Sequence, residues 1–261
     1  IQEIAVPESG KSLPQVIFFP SKTNEGFASG NNIGINHALL KGTDYVYLLN
    51  NDAKFHPDAL KEVVEVAEEN KKIGSVQSLM LLWQKPEVVN STGGMVHFLG
   101  FGFVRDNGKK LEDITIKDRS KITYASGAAV LYRASVLQEV GLLDSFLFLY
   151  HEDLELGWRI RLAGYQNVFS KKSIVYHHYE FKRSIKKFFW MERNRILVHV
   201  SHLRTITCIL LFPFLLLLEV ALILFAIKGG WLKEKLRVYA AFIRPSTWLY
   251  VAKKRHASYL L

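Results

Sequence analysis

The chain of 261 residues is 49% hydrophobic and 22% charged, which excludes a disordered protein and predicts one or two globular units. Its charge is one-sided: residues 1–181 hold 19 Lys and Arg against 21 Asp and Glu, whereas residues 182–261 hold 15 against 3. The single cysteine, Cys208, excludes an intramolecular disulfide framework.

The first third of the chain predicts strands that alternate with helices. Short apolar runs at residues 15–19, 45–49 and 73–77 predict strands. A helix is predicted at residues 31–40, after the glycine-rich turn GFASGNN, and an amphipathic helix at residues 57–70. This alternation predicts an α/β fold with a parallel sheet and helices on its faces. Ligands of such sheets bind beyond the carboxyl ends of the strands.

The middle of the chain combines irregular and regular segments. Residues 83–118 contain glycines and show weak periodicity, which predicts loops and short antiparallel strands over one end of the sheet. A small-residue turn and a strand are predicted at residues 125–132, and a short helix at 135–140. The segment HEDLELGWRIRLAGY, residues 151–165, predicts a helix with acids in its first turn, and residues 173–178 predict the last strand.

The end of the chain contains a long apolar run, ITCILLFPFLLLLEVALILFAI, at residues 206–227. Its 22 residues match the roughly 20 needed to cross a bilayer core. Pro213 and Glu219 disfavour a spanning helix, so a re-entrant or interfacial hairpin with the amphipathic stretch 231–243 is the next alternative, and a buried core helix is a third. We therefore divide the chain into a catalytic-type unit, residues 1–181, and a basic and apolar helical unit, residues 182–261, that associates with a membrane surface.

Nucleic acid is a weaker explanation of the basic end. The excess of Lys and Arg after residue 182 is interrupted by the apolar run, whereas a nucleic-acid-binding segment would keep its basic residues on one face. Phospholipid is the partner that fits both the charge and the apolar residues. We expect a membrane surface and no nucleic acid.

Two groups of acids are candidates for chemistry. Asp52 ends a buried strand, where a carboxylate binds a divalent cation that in turn holds a diphosphate, although Asn-Asn-Asp is also an ordinary turn sequence. Glu152 and Asp153 start a helix, where the helix dipole stabilises acids without further purpose but where a carboxylate can also accept a proton. His177 or His178, at the end of the last strand, can add a nitrogen ligand to a metal.

Polar residues near the start and end of the chain are candidates for binding phosphate. Gly26 and Gly30 permit close backbone approach around the amides of Asn24, Asn31 and Asn32, which suit a base or a phosphate. A second set is basic and suits phosphates of a donor or of a lipid carrier, or a solvated basic helix: Lys186, Lys187, Arg193 and Arg195.

The order of these motifs resembles one known family. The segments are, in chain order, NEGFASGNNIGI, YVYLLNND, ASGAAVLYRASVLQEVGLLDSFLFLYHEDLELGWRIRLAGY, VYHH and ERNR. The series is similar to the family-2 inverting glycosyltransferases of GT-A fold, particularly their rhamnosyltransferase-like members, over residues 24–195. The resemblance implies a mixed, mainly parallel sheet flanked by helices.

The resemblance also implies roles for individual residues. Asp153 matches the catalytic base of the family, with Glu152 beside it, and Asp52 and His177 match positions that hold a metal, Mg²⁺ or Mn²⁺. The donor-binding positions implied by the resemblance and the glycine-rich turn are Asn24, Gly26, Asn32, Asn50, Asn51, Arg159 and Arg193. The acceptor-side turn corresponds to Ser126 and Gly127.

One part of the family pattern has no counterpart. Members usually start with a strand, a helix and a strand that ends in a nucleotide-binding aspartate loop, and nothing before Asn24 supplies it. We expect the N-terminal part of the fold to be missing or diverged.

The expected function is a metal-assisted, inverting hexosyltransferase at the cytoplasmic face of the cell membrane. It would use a nucleotide-sugar donor and a glycan or polyprenyl-linked acceptor in cell-envelope polysaccharide biosynthesis. The alternative is a non-catalytic, transferase-like domain that binds membrane or glycan. Release of nucleoside diphosphate distinguishes the two.

Overall fold

The computed structural model of the protein describes residues 2–4, 16–179 and 185–261. The side chains of residues 2–4 and of Lys186 are outside this description, and so is the first residue of the strand expected at 15–19. The described strands are β1 (Gln2–Ile4), β2 (Val16–Phe18), β3 (Tyr45–Leu49), β4 (Ala53–Phe55), β5 (Ile73–Leu82), β6 (Lys85–Ser91), β7 (Gly94–Val96), β8 (Gly102–Val104), β9 (Lys121–Ile122), β10 (Ala129–Arg133) and β11 (Gln166–His177). The described helices are α1 (Gly26–Leu40), α2 (Ala59–Glu68), α3 (Ala134–Val140), α4 (Glu152–Leu162), α5 (Ile185–His202), α6 (Thr205–Lys228), α7 (Leu232–Ile243) and α8 (Pro245–Leu260).

A mixed sheet forms the centre of the molecule. Its strand order is β3-β10-β5-β11-β4, with β6 added to β5 and β9 added to β11. Strands β5 and β11 are parallel, while β10 is antiparallel to β3 and β5, and β4 is antiparallel to β11. Strands β3, β5 and β11 therefore run in one direction and end at the same edge of the sheet.

Helices cover both faces of this sheet, as its apolar strands require. Nine of the ten residues of β5 are buried, which is typical of a strand with a core on each side. On one face α1, α3 and α4 contribute Ile35, Leu137 and Leu156 to the larger core. On the other face α2 contributes Val63 and Val66 to a smaller core. The expected α/β architecture is confirmed.

Several boundaries differ from the sequence prediction. Helix α1 begins at Gly26 rather than residue 31, so the glycine-rich segment forms the first turns of the helix instead of a loop. Gly26 has φ +78°, and a Cβ there would lie 2.5 Å from the carbonyl oxygen of Phe148, so only glycine fits. Strand β11 starts at Gln166, well before residue 173, and α8 was not predicted.

The C-terminal helices join the sheet unit through buried polar contacts. The Lys254 ammonium of α8 lies 3.1 Å from a carboxylate oxygen of Glu155 in α4, and His202 of α5 lies 3.1 Å from the same oxygen. Tyr250 donates to Asp144 over 2.8 Å. Helices α5 and α8 therefore pack directly against the unit that carries the candidate site.

Candidate functional site

The first part of the site is a carboxylate–imidazole pair at the edge of the sheet. Strand β4 pairs with β11 so that Ala53 lies opposite His177, which brings Oδ1 of Asp52 to 3.2 Å from Nε2 of His177. The other ring nitrogen of His177 lies 2.9 Å from Oδ1 of Asn90. The neighbouring His178 ring instead packs against Trp83, so His177 is the histidine that faces the acid.

This pair has the chemistry of a partial metal site. Burial lowers the pKa of His177, although Asp52 opposes the shift, so the ring is neutral near pH 7 and has a lone pair for a cation. One carboxylate oxygen and one imidazole nitrogen suit Mn²⁺ or Mg²⁺. In the described part of the chain, no group of three or more His, Cys, Asp or Glu residues could hold a metal. The remaining ligands would therefore come from phosphate oxygens and water.

The second part of the site is the start of α4, where two acids have perturbed protonation. Asp153 is half-buried, and its carboxylate accepts from the N–H of Gly127 over 3.1 Å and from that of Leu154 over 2.7 Å. Burial raises the pKa of Asp153 despite these hydrogen bonds. Glu152 is 5% exposed, and its Oε2 has no hydrogen-bond partner among the described residues. Burial, followed by the charge of Asp153, raises the pKa of Glu152 well above the usual range.

The loop before α4 is held in an unfavourable conformation. Phe148, Tyr150 and His151 have φ of 63°, 68° and 68°, a region that residues other than glycine rarely adopt. Such conformations persist only where the surroundings fix them, and they concentrate at functional sites. The surroundings here are in α5, because the Asn194 amide donates over 2.8, 3.0 and 2.8 Å to the carbonyls of Leu147, Leu149 and Tyr150.

One turn, residues 126–128, contacts segments from both parts of the site. The N–H of Asn50, just after β3, donates to the carbonyl of Ala128 over 3.0 Å. The adjacent Gly127 donates to Asp153, as described above. Asn50, two residues before Asp52, and Asp153 therefore contact neighbouring residues of one turn, Ala128 and Gly127, at the edge where β3 ends.

The turn at residues 126–128 is shaped by close packing. The Ser126 N–H donates to Oε1 of Gln77 in β5 over 2.8 Å, which anchors the turn to the sheet. A Cβ added to Gly127 would lie 2.9 Å from the Phe27 ring and 3.8 Å from Cβ of Asp153. Glycine thus lets the backbone reach the carboxylate, and the acceptor role expected for this turn stays a prediction.

A cleft of about 520 Å³ lies between the start of α1 and β3. Asn24, Gly26 and Asn31 line it, and the Asn24 side chain accepts from the N–H of Gly26 over 2.9 Å. Asn51 is exposed in the turn after β3. Donor binding by the glycine-rich segment stays a prediction.

Two residues expected to bind the donor have structural contacts instead. The Asn32 amide donates to the carbonyl of Leu143 over 2.7 Å and lies outside the lining of the cleft. Arg159 is 4% exposed, pairs with Glu155 at 2.6 Å, and donates to the carbonyls of Val140, Gly141 and Leu142. The donor-binding prediction for these two residues is corrected, because their side-chain N–H groups donate to carbonyls of the loop before α4.

Arg193 remains a candidate for binding phosphate, whereas the contacts of Arg195 are structural. The Arg193 guanidinium lies 4.8 Å from the Trp190 ring, donates to the carbonyl of Phe146, and has a pKa lowered to about 10 by burial. Its position beside the strained loop keeps it a candidate for phosphate. Arg195 is 2% exposed and paired with Glu192, so it does not serve a ligand at this cleft.

Sequence reasoning missed two residues of the site. Asn90 contacts the buried ring nitrogen of His177, and such partners orient a metal-binding imidazole. Cβ of Tyr124 packs against Gly157 of α4, and the pKa of the Tyr124 hydroxyl is raised by burial and then by Asp153 and Glu152. Neither residue is in a recognisable motif, so only the folded arrangement reveals them.

The mixed sheet and its flanking helices are the architecture of the GT-A class of fold. The solved structure titled GalNAc-T7 with UDP, GalNAc and Mn²⁺ matches with a TM-score of 0.55 and 16% identity, over 70% of this chain and 36% of that chain. At this identity the likeness shows the fold alone, and it confirms the GT-A prediction.

The chain belongs to the glycosyltransferase-like family 2, whose sequence profile matches residues 2–196. It is 26% identical over 147 residues to the N-acetylglucosaminyl-diphospho-decaprenol L-rhamnosyltransferase of Mycobacterium tuberculosis, covering 52% of this chain and 47% of that protein. It is also 26% identical over 148 residues to the dTDP-rhamnosyl transferase RfbF of Shigella flexneri, covering 54% of this chain and 44% of that protein. The predicted family-2 membership is confirmed, the chain is similar to rhamnosyltransferases, and it spans about half the length of these relatives.

Proposed function

We propose that the protein transfers a hexose from a nucleotide-sugar donor to an acceptor hydroxyl with inversion of configuration. The observation that carries this proposal is the Asp153 carboxylate, which is half-buried, oriented by the N–H of Gly127 and raised in pKa. A general base works best when its pKa approaches the operating pH and its position is fixed. Both conditions favour Asp153 as the base.

The proposed reaction is a single displacement. Asp153 accepts the proton of the acceptor hydroxyl while that oxygen forms a bond to the anomeric carbon. The bond from this carbon to the diphosphate oxygen breaks, and the nucleoside diphosphate leaves with the electron pair from the opposite face. Glu152, whose pKa is raised further, stays protonated to higher pH and leaves the negative charge of the pair on Asp153.

Asp52 and His177 would hold Mg²⁺ or Mn²⁺ in this proposal. When bound there, the cation supplies positive charge where the leaving diphosphate becomes more negative. Asn90 would keep the imidazole of His177 turned toward Asp52, because it contacts the opposite ring nitrogen. Asn24, Gly26, Asn50, Asn51 and Arg193 remain the proposed donor contacts.

We propose a lipid-linked glycan as the acceptor and the cytoplasmic face of the cell membrane as the location. Helix α6 is long and apolar enough to cross a membrane by length and composition, and a relative of the chain is named for a decaprenol-linked substrate. A groove of about 350 Å³ between α5, α6, α7 and α8 adds support, since residues such as Ile196, Leu215 and Phe242 line it. The role would fall within cell-envelope polysaccharide biosynthesis.

Release of nucleoside diphosphate tests the proposal. The full chain would be incubated with Mn²⁺, a set of nucleotide-sugars and polyprenyl-diphosphate-linked acceptors in vesicles. Transfer that requires acceptor and is lost in Asp153→Asn supports an enzyme. Vesicle binding with no transfer for any donor would favour the alternative, a non-catalytic module.

A further inference from the structure

Helix α6 has two different faces, although nearly all its residues are apolar. One stripe with helical spacing faces the protein and is buried or half-buried: Cys208, Leu211, Leu215, Glu219, Leu222 and Ala226. The opposite stripe is exposed, at 67% for Leu210, 71% for Leu217 and 63% for Leu224. An apolar stripe of this length is not stable in water, so it requires a cover.

The protein-facing stripe is attached to the neighbouring helices through Glu219. Its carboxylate lies 2.5 Å from Nη2 of Arg195 in α5 and 2.7 Å from Nζ of Lys235 in α7. Tyr239 of α7 donates to the same carboxylate over 2.7 Å. Glu192 binds Arg195 at 3.1 Å and Lys235 at 2.7 Å, which completes a network of four charges. Arg195 is 2% exposed and Lys235 is fully buried, so the network fixes α6 against α5 and α7.

This network is incompatible with a spanning α6. The helix has 24 residues and is about 36 Å long, with Glu219 about 4 Å from its midpoint. If α6 crossed the bilayer, Glu219 and the charges bound to it would lie near the middle of a hydrocarbon core of about 30 Å. Each charge at that depth costs about 2.5 kcal/mol or more.

The network also connects to the candidate site. Arg195 donates to the carbonyl of Leu99 over 3.1 Å, and Nε2 of His199 lies 2.9 Å from the carbonyl of Phe98. Asn194 holds the loop before α4. A spanning α6 would therefore draw α5, the backbone carbonyls of Phe98 and Leu99, and the loop before α4 toward the hydrocarbon.

We propose that α6 lies in the plane of the membrane interface, with its exposed stripe in the acyl chains of one leaflet. The occupant of this face is an anionic phospholipid surface. Arg204 and Lys228 are exposed at the two ends of the helix, and residues 182–261 hold 15 Lys and Arg against 3 Asp and Glu. The inference rests on the proposed membrane association but not on sugar transfer.

Depth measurements in vesicles test the orientation. In the full chain with Cys208→Ser, single variants Leu210→Cys, Leu217→Cys and Leu224→Cys would carry a spin label on vesicles of phosphatidylglycerol and phosphatidylcholine. These positions are two helical turns apart on one face. An in-plane helix places all three at one depth, about 5–10 Å below the headgroups. A spanning helix places Leu217→Cys about 10 Å deeper than at least one of the others.

Accessibility of the helix ends provides a second measurement that does not depend on labels within the apolar stripe. Arg204→Cys and Lys228→Cys would be treated with an impermeant maleimide after the protein is added outside sealed vesicles. Labelling of both helix ends supports the proposal, whereas protection of either end overturns it. A difference in depth among the three spin-labelled positions would also overturn it. No binding to anionic vesicles would overturn both this orientation and the membrane association, and would leave the proposed sugar transfer standing.

Discussion

Nε2 of His177 lies 3.2 Å from Oδ1 of Asp52, and the two residues come from strands that are far apart in the chain. The pairing of β4 with β11 sets this distance, because it places Ala53 opposite His177. Burial keeps the imidazole neutral, so the pair offers one negative oxygen and one nitrogen lone pair. The first prediction follows from that donor set.

Asp52→Asn should weaken binding of Mn²⁺ in the presence of a nucleoside diphosphate. Loss of a direct carboxylate ligand is expected to cost at least the roughly 10- to 100-fold that changing a residue behind a ligand costs. Titration calorimetry measures the affinity. The matched control is Asp58→Asn, because Asp58 forms an exposed pair with His56 at 3.5 Å. Equal affinity in both variants would rule out a metal at Asp52.

Asp153→Asn should lower kcat by about 10²- to 10⁴-fold and leave the affinity for the donor nearly unchanged, because the base acts on the acceptor hydroxyl. Since burial raises the pKa of Asp153, the rate of the unaltered protein should fall as pH decreases through a value above the ordinary 3.8 of aspartate. Release of nucleoside diphosphate across a pH series measures both effects. Full transfer by the variant would remove Asp153 from the mechanism.

Glu152→Gln should become more stable relative to the unaltered protein as pH rises. The folded-state pKa of Glu152 is raised, so its favourable contribution is complete below the unfolded value near 4.5 and is lost as pH rises through the folded value. Each unit of pKa difference corresponds to about 1.4 kcal/mol. Thermal unfolding of both proteins from acid to neutral pH measures the difference.

Glu155→Gln is the matched control, with the opposite sign. Burial alone would raise the pKa of Glu155, but Arg159, His202 and Lys254 hold it well below the usual range. Its contribution is therefore present above the unfolded pKa and lost as pH falls through the folded pKa, so this variant should become relatively less stable as pH rises. Parallel pH trends for the two variants would contradict the assigned protonation of Glu152.

Gly127→Ala should destabilise the protein by about 1–3 kcal/mol, because the new Cβ would lie 2.9 Å from the Phe27 ring in a packed region. It should also reduce transfer, since the N–H of Gly127 orients Asp153. Gly30→Ala, within α1, adds a Cβ that has no atom of the described residues within 4 Å, and it should stabilise the protein by about 0.5–1 kcal/mol. Chemical denaturation measures the free energy of unfolding of both variants. Equal changes in the two would contradict the close packing at Gly127.

Lys235→Met should destabilise the protein by about 3–5 kcal/mol, because it removes one of the two cations, Lys235 and Arg195, that the carboxylates of Glu192 and Glu219 share. Lys233→Met removes an exposed lysine from the same helix and should change stability by less than about 0.5 kcal/mol. Denaturant unfolding in detergent compares the two. A small effect of Lys235→Met would show that the network does not fix α6.

The sequence alone was sufficient for the class of fold and for much of the candidate site. Apolar periodicity predicted β3 with its observed limits and α2 within two residues, because these elements bury one or both faces. The order of motifs also pointed to Asp52, Asp153 and His177, since each lies at the end of a regular element. The glycine-rich start of α1 was missed, because glycine favours turns unless a neighbour such as Phe148 requires it.

Only the tertiary structure decided which side chains meet. Arg159 and Asn32 look like ligand-binding residues in the motif, but their donors satisfy the carbonyls of a loop that the chain brings to them. The contact of Asn90 with His177 depends on strands that are distant in sequence. In α6 every face is apolar, so periodicity cannot distinguish the protein-facing stripe from the exposed one. The charges of Arg195 and Lys235 make that distinction, because a buried carboxylate at Glu219 is stable only where they can reach it.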